Sequence, residues 1–253
     1  MIPQNLLNGK VAFITGAGQG NGRAIALGLA EAGARVVVTD MNEANAAETA
    51  ALIQGKGGKA YSYRLDVTDA DACKTLAQNI EATVGSIDVL VNNAGIIIRE
   101  GVDSPNAAKN LQQVMKVNLE GTFNVTHAWL PSLRQTHGTV VNVASIASYA
   151  GQAGSLGYSP SKGAVKMLTQ SLAADLAKDG VRVNAIAPGV IETPMTVATR
   201  SDSAKLEKFL IRIPMGRVGK PEELVGAVIF LASSMSTYVT GVTIPVDGGF
   251  LAI

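Results

Sequence analysis

Seven short apolar runs punctuate the chain, and segments with an apolar residue every three or four positions fill the intervals between them. The runs lie at 11–14, 35–39, 60–65, 87–91, 139–143, 181–186 and 242–246. They are rich in Val and Ile and near-continuous, the pattern of strands buried on both faces of a parallel sheet. Helical spacing predicts helices over about 22–32, 43–55, 69–84, 105–135, 157–178 and 221–233. Strand–helix alternation with right-handed crossovers predicts a doubly wound α/β domain over 1–253, with a mostly parallel seven-stranded sheet and helices on both faces. On such sheets ligands bind beyond the carboxyl ends of the strands, where strand order reverses. A polar insertion at about 190–215, with no clean strand pattern, reads as a lid over that crevice.

The segment at 157–178 carries the first chemical signal. Tyr158 and Lys162 are one helical turn apart, so they share a face with Val165, Thr169, Leu172 and Leu176. A lysine on an apolar stripe is costly unless something there needs it. A phenol beside an ammonium can give and take a proton, and the cation is expected to draw the tyrosine pKa down from about 10. Thirteen residues earlier, Ser145 follows the fifth apolar run. The plain alternative is that Tyr158 anchors a helix start and Lys162 snorkels to solvent.

The first run leads into Thr15-Gly-Ala-Gly-Gln-Gly-Asn-Gly22 and then a helical pattern. Glycines between a strand and a helix let the backbone approach a pyrophosphate, with the helix N-terminus supplying donors. Gly16, Gly20 and Gly22, with the intervening Gln19 and Asn21, are the cofactor-loop candidates. The second run ends at Asp40, 18 residues after Gly22, where a carboxylate can accept from ribose hydroxyls. An ionised Asp repels a 2′-phosphate, and positions 41 and 42 are Met and Asn rather than Arg or Lys. NAD is therefore expected over NADP.

These motifs together resemble the short-chain dehydrogenase/reductase family over essentially the whole chain, which implies a Rossmann fold. The Thr-Gly-x3-Gly-x-Gly loop is matched by Thr15, Gly16, Gly20 and Gly22, and the Asn-Asn-Ala-Gly signature by 92–95, placing Asn93, Ala94 and Gly95 at the cofactor. The resemblance implies that Asp66 and Val67 hold adenine and that Pro188 and Gly189 line the nicotinamide end, with Thr193 meeting its carboxamide. It further implies that Ser145, Tyr158 and Lys162 are catalytic and that Asn118 fixes a water linking Lys162 to solvent; Tyr158 and Lys162 also contact the cofactor. Two positions depart from the pattern. Asn21 stands where a small apolar residue is usual, and Pro160, tolerated only in a first helical turn, puts the helix start near 157.

The expected reaction interconverts a secondary alcohol and a ketone, with Ser145 and Tyr158 on the substrate oxygen. The stretch ending at Arg99 and the C-terminal Asp-Gly-Gly-Phe-Leu-Ala resemble the gluconate and deoxygluconate dehydrogenase branch. Arg99 is then a candidate for an anionic substrate group, the other reading being a solvated loop charge pairing with Glu100 or Asp103. A 3-oxoacyl-thioester reductase and a non-catalytic dinucleotide-sensing protein remain as alternatives. Small and apolar residues on the outer side of the 157–178 helix (Ala164, Met167, Leu168, Ala174) suggest subunit contact, and the family habit is a homotetramer.

Composition narrows the remaining classes. The 253 residues carry a net charge of +1 and no charge run, so nothing points to nucleic acid or an anionic membrane as partner. No stretch of about 18 apolar residues suggests a membrane span. Residues 1–10 lack a signal-peptide pattern, and the single Cys73 has no disulfide partner, so a cytoplasmic protein with a small-molecule substrate is expected. His127 and His137 lack metal-ligand spacing, and no metal site is expected.

Overall fold

The computed structural model describes residues 5–253; the stretch considered for a signal peptide lies partly outside them. Seven strands form one parallel sheet: β1 (Val11–Ile14), β2 (Arg35–Asp40), β3 (Ala60–Arg64), β4 (Val89–Asn92), β5 (Thr139–Val143), β6 (Arg182–Pro188) and β7 (Thr243–Val246). Their order is β3-β2-β1-β4-β5-β6-β7, so strand order reverses between β1 and β4. Every pairing is parallel, which replaces the expected "mostly" with "all" among the described residues.

Strand side chains alternate between two cores. Ala12 and Ile14 of β1, Val89 and Val91 of β4 and Val141 and Val143 of β5 face one layer; Val11, Phe13, Leu90 and Val140 face the other. The first layer is covered by α1 (Gly20–Glu31), α2 (Glu43–Gly55) and α9 (Val225–Ala232). The second is covered by α3 (Ala70–Thr83), α5 (Gly121–Thr136) and α6 (Tyr158–Leu176). Trp129 of α5 is buried there against Phe13, ring centroids 5.1 Å apart. Polar side chains mark the helix starts: Asn42 accepts from the Asn45 amide before α2, and Asp69 from the Ala72 amide before α3. Helix α5 ends at His137 in the left-handed region (φ 48°).

Three differences from the sequence pattern matter for the site. The segment expected as one helix over 105–135 is α4 (Ala107–Met115), a π-helical turn at Lys116–Glu120, and then α5. The π turn is centred on Asn118, and such bulges inside helices recur at functional sites. The 190–215 insertion is mostly helical, with a 3₁₀ turn Pro194–Thr196, then α7 (Val197–Arg200) and α8 (Ser203–Leu210). Their short length hid their period from the sequence pattern. Finally, the expected 221–233 helix opens as a 3₁₀ turn, Pro221–Leu224.

Helices α1 and α9 cross at Gly28, where a Cβ would lie 2.2 Å from a Val225 methyl. The sequence around Gly28 is otherwise good helix, so this glycine is there for close approach. Gly28→Val is expected to destabilise the fold by about 1–3 kcal/mol through overpacking. The second substitution Val225→Ala should recover part of that loss, measured as denaturant midpoints of both single variants and the double.

Candidate active site

The loop between β1 and α1 is shaped by contacts that leave no room for side chains. Gly16 has φ +59°, and a Cβ there would lie 2.9 Å from the Ala94 Cα; at Gly22 it would lie 2.2 Å from the Gly16 carbonyl oxygen. The end of β4 locks the loop in place. The Thr15 hydroxyl accepts from the Asn93 and Ala94 amides, both at 3.0 Å, while the Asn93 side-chain amide donates to the Thr15 and Gly16 carbonyls at 3.0 and 2.9 Å. The two sides of the strand-order reversal are thus tied together by four hydrogen bonds. Asp40, at the end of β2, accepts from the Gly18 amide at 3.0 Å and the Asn42 amide at 2.9 Å. Gly18 was not singled out in the sequence, yet a Cβ there would sit 2.8 Å from the Asp40 carboxylate.

On the other side of the crevice, Lys162 is 5% exposed and its ammonium donates to the Val143 carbonyl of β5 at 2.7 Å. Asn118 is fully buried by the π turn. Its carbonyl oxygen accepts from the Ile96 amide at 2.8 Å, and its NH₂ donates to the Ile96 carbonyl at 3.0 Å and to Ser161 at 2.9 Å. Gly95 passes between Asn118 and Lys162: a Cβ on it would lie 3.1 Å from the Asn118 oxygen and 3.4 Å from the lysine nitrogen. Ser145 caps a 3₁₀ turn, Ile146–Ser148, with its oxygen accepting from the Ala147 amide at 3.1 Å. Ile146 packs with Ile213 and Phe250, which fastens the base of the insertion beside Ser145.

These groups line one cleft of about 380 Å³ at the carboxyl ends of the strands. Gly16, Gln19, Gly20, Asn21, Asp40, Asp66, Val67, Asn93, Ala94, Gly95, Ser145, Tyr158, Lys162, Pro188, Gly189 and Thr193 all reach its wall. Gly22 lies beneath the loop, Asn118 behind Gly95, and Arg99 outside the wall. The sequence reading missed the apolar lining from Met41, Ile96, Val117 and Ile191 and the cover from Met195 and Thr196. No motif marks these residues; the end of β2, the β4–α4 loop, the π turn and the insertion, distant in the chain, bring them together at the cleft.

Arg99 is exposed, donates to the Met195 carbonyl at 3.3 Å, and makes no ion pair among the described residues. Glu100, one of the two acids offered as its partner in the alternative reading, instead accepts from Asn110 at 2.8 Å and binds Ser104. The positive charge of Arg99 is felt at Tyr158, where it favours the phenolate.

Burial outweighs that help and raises the Tyr158 pKa, with a hydrogen bond from Ser145 and then Arg99 opposing the rise. This corrects the expectation that Lys162 draws the tyrosine down. The ammonium is turned toward Val143 and lies 5.9 Å from the Tyr158 ring centroid, and its own pKa falls to about 8 through burial. Cys73 is buried with its thiol pushed up to about 11, an unreactive state.

The cleft fits a dinucleotide. Glycines form its floor where a Cβ would clash, an acidic side chain stands at one end, and the buried Asn21 amide oxygen has no partner among the described residues. Comparisons agree. The family model described as enoyl-(acyl carrier protein) reductase matches residues 16–251. A 3-oxoacyl-[acyl-carrier-protein] reductase of Thermotoga maritima is 42% identical over 97% of this chain and 99% of its own. A 2-dehydro-3-deoxy-D-gluconate 5-dehydrogenase of Bacillus subtilis is 42% identical over 97% and 96%. The crystal structure of a gluconate 5-dehydrogenase from Burkholderia cenocepacia J2315, in complex with NADP and tartrate, superposes with a TM-score of 0.94 at 39% identity over 99% and 98%. The chain belongs to the short-chain dehydrogenase/reductase family, oxidoreductases that act on CH–OH groups with a dinucleotide cofactor.

The lysine has a measurable consequence. Its folded pKa of about 8 lies below the ordinary 10.5, so the native state binds fewer protons between those values and stability rises with pH across that window. Below about 8 the penalty of burying the ammonium is fully present. Lys162→Met should therefore raise the Tm of the cofactor-free protein at pH 7. That gain should shrink as the pH is taken toward 10.5, followed by thermal melts at each pH.

Proposed function

We propose that the protein is an NAD-linked dehydrogenase that oxidises a secondary alcohol of a sugar acid to the ketone. The observation that carries the reading is the convergence of Ser145, Tyr158 and Lys162 on one cleft, with the unpaired Arg99 beyond its wall. The nicotinamide, when bound, supplies the hydride acceptor. Everything else falls to this chain. Tyr158 as phenolate takes the hydroxyl proton while the hydride leaves the same carbinol carbon, so one proton and one hydride are accounted for. Ser145 hydrogen-bonds the substrate oxygen as charge develops on it. Lys162 would turn from Val143 to the ribose hydroxyls and bring its charge nearer the phenol, with Asn118 supporting the proton path to solvent. Gly16, Gln19, Gly20, Asn21 and Gly22 would cradle the pyrophosphate, Asp40 the adenosine ribose, and Asp66 and Val67 the adenine. Asn93, Ala94 and Gly95 would line the middle, and Pro188, Gly189 and Thr193 the nicotinamide end. The 190–215 insertion would close over the substrate.

Arg99 supports the acidic-substrate reading because a planar guanidinium suits a carboxylate. The relative solved with NADP and tartrate is in keeping with it, since tartrate is a hydroxy acid. A second reading, reduction of a 3-oxoacyl thioester, is favoured by the Thermotoga maritima relative. Met167 on the outer face of α6 is 57% exposed, which is in keeping with subunit contact through that helix; the homotetramer itself is carried by the family resemblance.

Tyr158→Phe keeps the ring and removes the proton-transferring oxygen, so turnover should vanish while NAD still binds. A variant retaining more than about a hundredth of the wild-type rate would sink the assignment. Asp40→Ser should raise kcat/KM with NADP and lower it with NAD, as repulsion and ribose contacts are lost together. An unchanged ratio rejects NAD selection by Asp40. Arg99→Ala should raise KM strongly for sugar acids such as gluconate and leave neutral alcohols alone, read by NADH absorbance across a substrate panel. If acyl thioesters are reduced with NADPH far better than sugar acids are oxidised, the second reading replaces the first.

A further inference from the structure

Beside the Asp40 end of the cleft, on the neighbouring strand, stands a cation that the chain around Asp40 does not reveal. In the β2–β3 ladder Asp40 pairs with Arg64, 24 residues further on. Partners in a parallel ladder lie about 4.8 Å apart and send their side chains to the same face of the sheet. Arg64 is exposed and lines a surface groove with Met41, Asn42, Glu43, Ala44 and Ala47. Met41 also lines the cleft, so the groove adjoins the cleft at that side chain.

Arg64 is not consumed by its acidic neighbours. It forms no ion pair among the described residues, and both Asp40 oxygens already accept from backbone amides, of Gly18 at 3.0 Å and Asn42 at 2.9 Å. Its charge also reaches Asp66, the next acid on the cleft wall, which is held below the ordinary carboxylate range chiefly by the Thr68 amide. The other guanidinium near the loop, Arg23, is tied to Glu48 and to the Gly18 carbonyl. Arg64 is therefore the free guanidinium beside the carboxylate that is expected to read the ribose.

We propose that Arg64 is a specificity-determining residue that accepts a 2′-phosphate on the adenosine ribose, so that the site tolerates the phosphorylated dinucleotide despite Asp40. Asp40 disfavours the phosphate and Arg64 offsets it from the neighbouring strand. Cofactor choice is then set by the balance of the two rather than by Asp40 alone. The proposal rests on reading the cleft as a dinucleotide site, and the test separates the two.

The experiment measures binding of 2′,5′-ADP and of ADP by isothermal titration calorimetry to the wild type, Arg64→Ala and Arg64→Lys. Arg64→Ala should weaken 2′,5′-ADP by about tenfold, the scale of one charge-assisted contact to phosphate, while leaving ADP within about twofold. Arg64→Lys should keep part of the affinity, because the charge remains and the planar fork is lost. Added salt should weaken 2′,5′-ADP more for wild type than for Arg64→Ala. An equal loss for both probes assigns Arg64 to the adenine and overturns the proposal, as does no loss for either. Wild type that binds ADP but not 2′,5′-ADP also overturns it while leaving the dinucleotide reading intact. Wild type that binds neither probe overturns both.

Discussion

The tie between β1 and β4 is the constraint on which the site depends. Strand order reverses there, so the helices following the two strands leave on opposite faces and a crevice opens at their carboxyl ends. A crevice alone would not hold a phosphate-sized group in register. The Thr15 hydroxyl and the Asn93 amide close it with four hydrogen bonds and fix the glycine turn against the Asn-Asn-Ala-Gly segment. Polar atoms that would be costly if buried unpaired are spent on joining two strands, which gives a stiff floor.

The side of the cleft that carries Tyr158 and Lys162 is built at some cost to stability. Lys162 is buried, which is why its ammonium is easier to deprotonate than usual, and among the described residues that ammonium donates to the Val143 carbonyl. Beneath it, Asn92 donates to Thr126 and Asn142, and Asn142 donates to Thr169, a polar ladder linking β4, β5, α5 and α6 under the cleft. The π turn at Asn118 serves the same region. One extra residue in the helix turns the amide inward, where it holds both the amide and the carbonyl of Ile96 and sets the path of the loop leading to Arg99.

Charge is distributed unevenly along the cleft. Burial of Tyr158 and Lys162 disfavours the charged form of each, so in the cofactor-free protein the pair rests closer to neutral than an exposed pair would. Ser145 and Arg99 work against that tendency at the phenol. At the opposite end Asp40, Asp66 and Arg64 stand at or just beyond the ends of neighbouring strands, so charges of both signs meet there.

The sequence by itself determined the sheet, most of the helices and nearly all of the cleft-lining polar groups. Strands buried on both faces must be continuously apolar, and glycines, Asp40, Tyr158 and Lys162 fall at spacings that local geometry converts directly into position. What needed the tertiary structure were features made by segments distant in the chain. The period of 3.6 cannot show a π turn at Asn118, because its one-residue shift preserves the apolar face on either side. The helices within 190–215 are too short for a period to emerge. The direction of the Lys162 ammonium depends on the β5 carbonyl it meets, and the neighbours of Asp40 and Arg99 depend on strand register and loop folding. Local pattern records which face a residue takes; only packing decides what that face meets.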